Sequence, residues 1–100
     1  MDAIQSINLI AINPGVRSGR PYIIGTTVTV VDVAMARLFH HRDADQIAED
    51  YQLTLPQVYS ALAYYYDHKA EIDESVRKQI RRAEELKEQR VGNEGSLLSR

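Results

Sequence analysis

Apolar residues change their spacing once along this chain, and the change marks where strands give way to helices. Ile7–Ile12 is short and rich in branched apolar side chains, which predicts a strand. Asn13, Pro14 and Gly15 close it with turn chemistry. Tyr22–Ile24 is a second strand candidate and Val28–Val30 a third, with Gly25 as the permissive residue of the turn between them. Glycines at 15, 19 and 25 and prolines at 14 and 21 cut this region too finely for a helix.

From Val31 the spacing becomes helical. Val31, Ala34, Met35, Leu38 and Phe39 follow the i, i+3, i+4, i+7, i+8 pattern of an amphipathic helix. Asp43 with Gln46 three residues on is a capping box. It predicts a short helix over 44–51 with Ile47, Ala48 and Tyr51 inward. Thr54 with Gln57 repeats the signature, and Pro56 falls in the first turn, where its missing N–H costs nothing. The helix that follows runs to Asp67. Leu55, Val58, Tyr59, Leu62, Tyr65 and Tyr66 form its expected buried stripe, with Gln57, Ser60, Ala61 and Tyr64 on the opposite face.

A last helix is predicted over 69–91. Ile72, Val76, Ile80, Ala83 and Leu86 make a narrow apolar seam along it, and Asp73–Arg77 and Glu74–Lys78 have favourable i, i+4 spacing. At 1.5 Å per residue it is about 33 Å long, enough to project from a small domain. Gly92, Asn93, Gly95 and Ser96 predict its end, leaving 92–100 as a flexible tail. The expected fold is therefore mainly α and a single domain. An N-terminal β-hairpin region (1–30) precedes a trihelical helix-turn-helix core (31–68) and the long C-terminal helix.

Composition narrows the function. One hundred residues make one domain, and the absence of cysteine excludes disulfides and thiolate metal sites. No apolar run approaches the ~18 residues of a membrane span, and the N-terminus carries no secretory pattern, so a cytoplasmic protein is expected. The net charge is −2, without the basic excess usual in a general nucleic-acid binder. It is unevenly spread. Residues 31–68 carry two arginines against six carboxylates, while the segments on either side each have one more basic than acidic group.

The segment Gly19–Val30 resembles a glycine-arginine-proline to glycine-threonine signature of the bacterial family called domain of unknown function 433. Helix 44–51 with Leu53 and Thr54 resembles a second segment of that family, and Val58–His68 a third, continued by Glu71 and Ile72. The likeness covers residues 7–73. It implies a homeodomain-like or winged-helix-like fold, a tendency to dimerise, and the antitoxin half of a type II toxin–antitoxin pair with a PIN-like nuclease as toxin. Two positions depart from the family pattern. Thr27 stands where arginine is usual, and His40, His41 and Arg42 stand where a glycine commonly follows the first helix.

Several residues are candidates for binding. Gln57 and Ser60 occupy recognition-helix positions, and with Arg17, Arg20 and Arg42 they form the candidate DNA contacts. Against this, the helix holding Gln57 and Ser60 has neither Arg nor Lys. Tyr64 is a candidate partner anchor, since a tyrosine offers rigid area with a polar tip. The seam residues Ile72, Val76, Ile80 and Leu86 are candidates for burial by a second copy or a toxin groove, the alternative being that they fold back on the core. Arg77, Arg81 and Arg82 are candidates to pair with a nuclease's acidic metal site. Neither a Gly-Lys-Ser/Thr loop nor a His-x-x-x-His pair occurs, and no spacing suggests a catalytic grouping. No metal, cofactor or small-molecule substrate is expected. The reading is a non-enzymatic homodimeric antitoxin that wraps its nuclease with the C-terminal helix and tail and also binds DNA to regulate its own synthesis. The alternatives are a DNA-binding regulator without a toxin and a structural dimerisation module.

Overall fold

The computed structural model describes residues 1–98, and side chains through Gln89. Its elements run β1 (Ile10–Ala11), a short 3-10 turn (Arg17–Gly19), β2 (Tyr22–Ile23), α1 (Val30–Leu38), α2 (Ala44–Tyr51), α3 (Leu55–Asp67) and α4 (Lys69–Leu98). The chain is thus mainly helical with a short N-terminal strand pair.

β1 and β2 pair antiparallel, with Ile10 opposite Ile23 and Ala11 opposite Tyr22. The pairing is shorter than Ile7–Ile12 allows, because only Leu9, Ile10 and Ala11 meet β2. The third strand reduces to a single bridge between Tyr22 and Thr29. Thr29 instead caps α1: its side chain accepts from Asp32 N–H at 3.0 Å, and Asp32 accepts from Thr29 N–H at 3.0 Å. Gly25 sits at φ 82° in the turn between them, a conformation that disfavours any side chain.

α1 packs chiefly on α3, with α2 and α4 against the same pair. Val30, Val31, Val33 and Ala34 of α1 are buried with Ile47, Val58, Ala61 and Tyr65. The buried faces are rotated from those predicted. Leu38 and Phe39 are exposed where a core face was expected, because α1 turns its valine-rich start inward. On α3, Ala61 is buried while Leu55, Tyr59 and Tyr66 are exposed. A small residue at the centre lets α1 approach closely, and only one of three consecutive tyrosines, Tyr65, can face the core.

Both predicted capping boxes form. Asp43 accepts from Gln46 N–H at 2.8 Å, and Thr54 accepts from Gln57 N–H at 3.3 Å. Between them the chain reverses in three residues. Gln52 is left-handed (φ 56°, ψ 48°), and Gln52 and Leu53 donate back to Glu49 and Ala48 in a Schellman arrangement that buries Leu53. A side chain in this conformation costs about 1–2 kcal/mol relative to glycine. Gln52→Gly is therefore expected to raise stability by about 1 kcal/mol, read as a later urea midpoint at unchanged slope.

α4 begins by folding back on the core. Ile72 and Val76 are 4% and 3% exposed and pack within their own chain, so they offer no free seam; Ile80 is half-buried beside them. The seam then leaves the core, and Leu86 is 60% exposed. The helix continues to Leu98, through the glycines expected to stop it. Each glycine lowers helix propensity by about 1 kcal/mol, which weakens a helix without ending it. Ser99 and Arg100, the end of the expected tail, lie outside the described residues. The projecting helix draws the molecule out to 75 × 27 × 24 Å.

The ion pairs differ from those expected. Lys69 pairs with Asp73 at 2.6 Å, and Glu74 takes Arg77 at 3.0 Å and Arg81 at 3.5 Å. Tyr65 O–H donates to Asp73 Oδ1 at 2.7 Å. The hydrogen bonds from Lys69 and then Tyr65 hold the Asp73 carboxyl below the ordinary aspartate range. A carboxyl depressed in the folded state stabilises fully above its unfolded value of about 3.9, and the contribution is lost as pH falls through the folded value. Asp73→Asn is therefore expected to flatten the fall in stability below about pH 4, measured by urea unfolding across acidic pH.

Candidate functional site

Most sequence-singled polar residues turn out to be engaged within the molecule. Arg17 donates to the Thr27 carbonyl at 2.8 Å and to Asp32 Oδ2 at 3.2 Å, fastening the N-terminal loop to the start of α1. Arg42 forks onto Asp50 through Nε and Nη2 at 2.8 and 2.9 Å, which ties the entry of α2 to its end. The Gln57 side chain accepts from Thr54 N–H at 2.8 Å as the return half of its capping box. These three are held in structural contacts rather than turned toward a base edge or phosphate. The α1–α2 link also holds His41 at φ 54°, in the departure from the family pattern noted above.

Tyr64 is half-buried, not outward. Its ring stacks on His68 at 4.0 Å, and His68 Nδ1 lies 3.1 Å from the Tyr64 carbonyl, which requires that nitrogen to carry the proton. Burial, then Glu71 and Asp67, push the Tyr64 phenol up. This pair secures the α3–α4 junction.

Two surfaces stand out among the described residues. One is a mainly apolar groove between the N-terminal segment and α3, lined by Ile7, Asn8, Ile10, Pro56, Tyr59, Ala63, Asp67 and the exposed part of Tyr64, with Ser60 in its wall. Tyr59, in this groove, is 58% exposed, and Tyr66, about two turns further along α3, is 62% exposed. Sequence spacing missed both by assigning them to the core; the signal for outward placement was Ala61, whose small side chain marks the face of closest approach. The other surface is a cleft between the N-terminal loop and α4, lined by Arg20, Ser75, Lys78, Gln79, Arg81, Arg82 and Glu85. It gathers Arg20, expected at DNA, with Arg81 and Arg82, expected at a nuclease, and adds Lys78.

No grouping of His, Asp and Glu suited to a metal ion occurs among the described residues. No helix of the described residues is long and apolar enough to cross a membrane.

The architecture is thus a small trihelical core carrying a projecting helix. The family described as Protein of unknown function (DUF433) matches residues 10–65, more than half of the chain, and the chain belongs to that family. Comparison with curated proteins and with solved structures yields no match.

Proposed function

We propose that this protein is a non-enzymatic antitoxin of a type II toxin–antitoxin pair that neutralises a PIN-like nuclease by docking. The class of partner comes from the resemblance already described. The observation that carries the docking is the outer half of α4: every residue from Arg81 to Gln89 is exposed, so this stretch touches almost nothing of its own chain. A polar helix of this length is marginal alone in water, and burial against a partner is the usual source of its stability. Leu86 is the apolar anchor of that half. The apolar groove beside Tyr59 supplies a second contact face, for the nuclease or for another copy of this chain. In the same reading the protein binds promoter DNA, with Arg20 as the one sequence-singled arginine of the loop region not engaged in an ion pair among the described residues.

The test is co-expression of the tagged chain with the product of the adjacent reading frame. Capture of a nuclease at a fixed molar ratio is expected; an empty eluate from soluble, folded chains would refute the reading. Removing residues 91–100 is expected to weaken capture about tenfold, a loss of about 1.4 kcal/mol, read by titration calorimetry.

A further inference from the structure

We propose that the cleft between Arg20 and α4 is the seat for the phosphodiester backbone of a nucleic acid. This deepens the DNA-binding part of the reading above and extends its contact from Arg20 to the facing side of α4.

Four cations, Arg20, Lys78, Arg81 and Arg82, meet there with one carboxylate, Glu85. The chain as a whole has net charge −2, so this concentration of positive charge is local. Arg20, Lys78 and Arg82 enter no ion pair among the described residues; Arg81 pairs with Glu74 at 3.5 Å, and Lys78 acts on the same carboxylate from farther off. Ser75 and Gln79 add neutral donors of the kind that position phosphates. The wall on α4 spans Ser75 to Glu85, about 15 Å of helix axis. That is a row of contacts rather than a point, and it matches a strand carrying one phosphate per 3.4 Å of rise. No aromatic or large aliphatic side chain lines the cleft, so it lacks the apolar anchor that a protein partner would use.

The loop that presents Arg20 is strained. Arg17 and Ser18 have φ of 47° and 60°, and Gly19 follows at 77°. Two non-glycine residues in this region persist only where the surroundings fix them. Here the Arg17 bonds to Thr27 and Asp32 do so. The consequence is that Arg20 is delivered toward α4 on a rigid support. Thus Arg17 acts as a positioning residue and Arg20 as a contact.

The experiment is fluorescence anisotropy with a labelled 20-base-pair duplex of arbitrary sequence, across a salt series. The wild-type chain is expected to bind with a log–log salt slope near −3, corresponding to roughly three or four phosphates neutralised. The Lys78→Gln, Arg82→Gln double variant removes two exposed charges that make no contact with the core. It is expected to lose about tenfold in affinity at low salt and to flatten the slope by about two. Glu85→Gln is expected to tighten binding several-fold, and Lys87→Gln to leave the slope unchanged. Wild-type-like binding by the double variant, with wild type itself binding, overturns the cleft and leaves DNA binding standing. Absence of salt-dependent binding by wild type overturns both. Displacement of the duplex by poly-glutamate as effectively as by a charge-matched oligonucleotide assigns the cleft to acidic protein, and binding of pyrophosphate without duplex assigns it to a small anion; either result overturns the proposal. Far-UV circular dichroism confirms that each variant is folded.

Discussion

Deleting residues 83–100 is expected to reduce affinity for the proposed nuclease partner at least 100-fold while leaving the melting temperature of the core within about 2 °C. The two readouts separate because α4 has two jobs on one helix. Its first part supplies Ile72 and Val76 to the core and Ile80 to its edge. Beyond Arg81 the described residues are exposed and add nothing to the packed interior. Removing an unpacked helical extension costs the core little, since most helical stability in proteins comes from tertiary packing. The same deletion removes Leu86 and the surface beside it. A hot-spot side chain alone is worth about 2 kcal/mol or more in an interface. Leu86→Glu is accordingly expected to lose about 30-fold. Unchanged partner affinity in both variants would place the docking surface elsewhere, with the groove at Tyr59 next to be tested.

Replacing Tyr65 by alanine is expected to destabilise the fold by about 3–5 kcal/mol, as for other buried aromatic truncations. Tyr65 is 2% exposed and sits where α3 meets α1 and α4. Its hydroxyl also donates to Asp73, which Lys69 holds from the other side. Tyr65→Phe keeps the ring and removes that donor. A hydrogen bond to a charged acceptor contributes about 1.5–3 kcal/mol, and Asp73 is partly solvated, so a loss near the lower end is expected. Urea unfolding of the two variants reads both numbers. A Phe variant as unstable as the Ala variant would mean that the polar contact, rather than the ring, secures the α3–α4 junction.

Local signals placed the helix starts well because each has a short-range cause, and the strands less well because strand length depends on what pairs across. Asp43–Gln46 and Thr54–Gln57 fix where α2 and α3 begin through bonds spanning three residues, and both were readable directly. The Thr29–Asp32 box was there to be read as well, but the β-branched run Val28–Val30 favoured a strand. Which face of a helix turns inward depends on what it meets. The α3 stripe was placed by bulk, on Tyr59 and Tyr66, whereas packing against α1 selected small Ala61 and a single tyrosine. The end of α4 differs for another reason: a glycine ends a helix only when it takes the left-handed capping conformation, and otherwise merely weakens it.

The candidate surfaces were partly legible. Arg20, Arg81 and Arg82 were each singled out, but their convergence depends on Arg20 facing α4 across a cleft, roughly sixty residues away in sequence. That placement rests on the left-handed Arg17–Gly19 turn and the Arg17 contacts, which no periodicity reports. Arg17, Arg42 and Gln57 looked like free binding groups because their partners, the Thr27 carbonyl, Asp50 and the Thr54 N–H, are chosen by geometry.

In the function proposed above, this protein acts by occupying a partner's surface, without chemistry of its own. The direct measurement is titration of the purified chain into the nuclease proposed as its partner, following nucleic-acid cleavage. Activity is expected to fall linearly to zero at a fixed molar ratio and to return when a protease degrades the added chain. Persistent cleavage at excess, or inactivation by a small fraction of an equivalent, would contradict it.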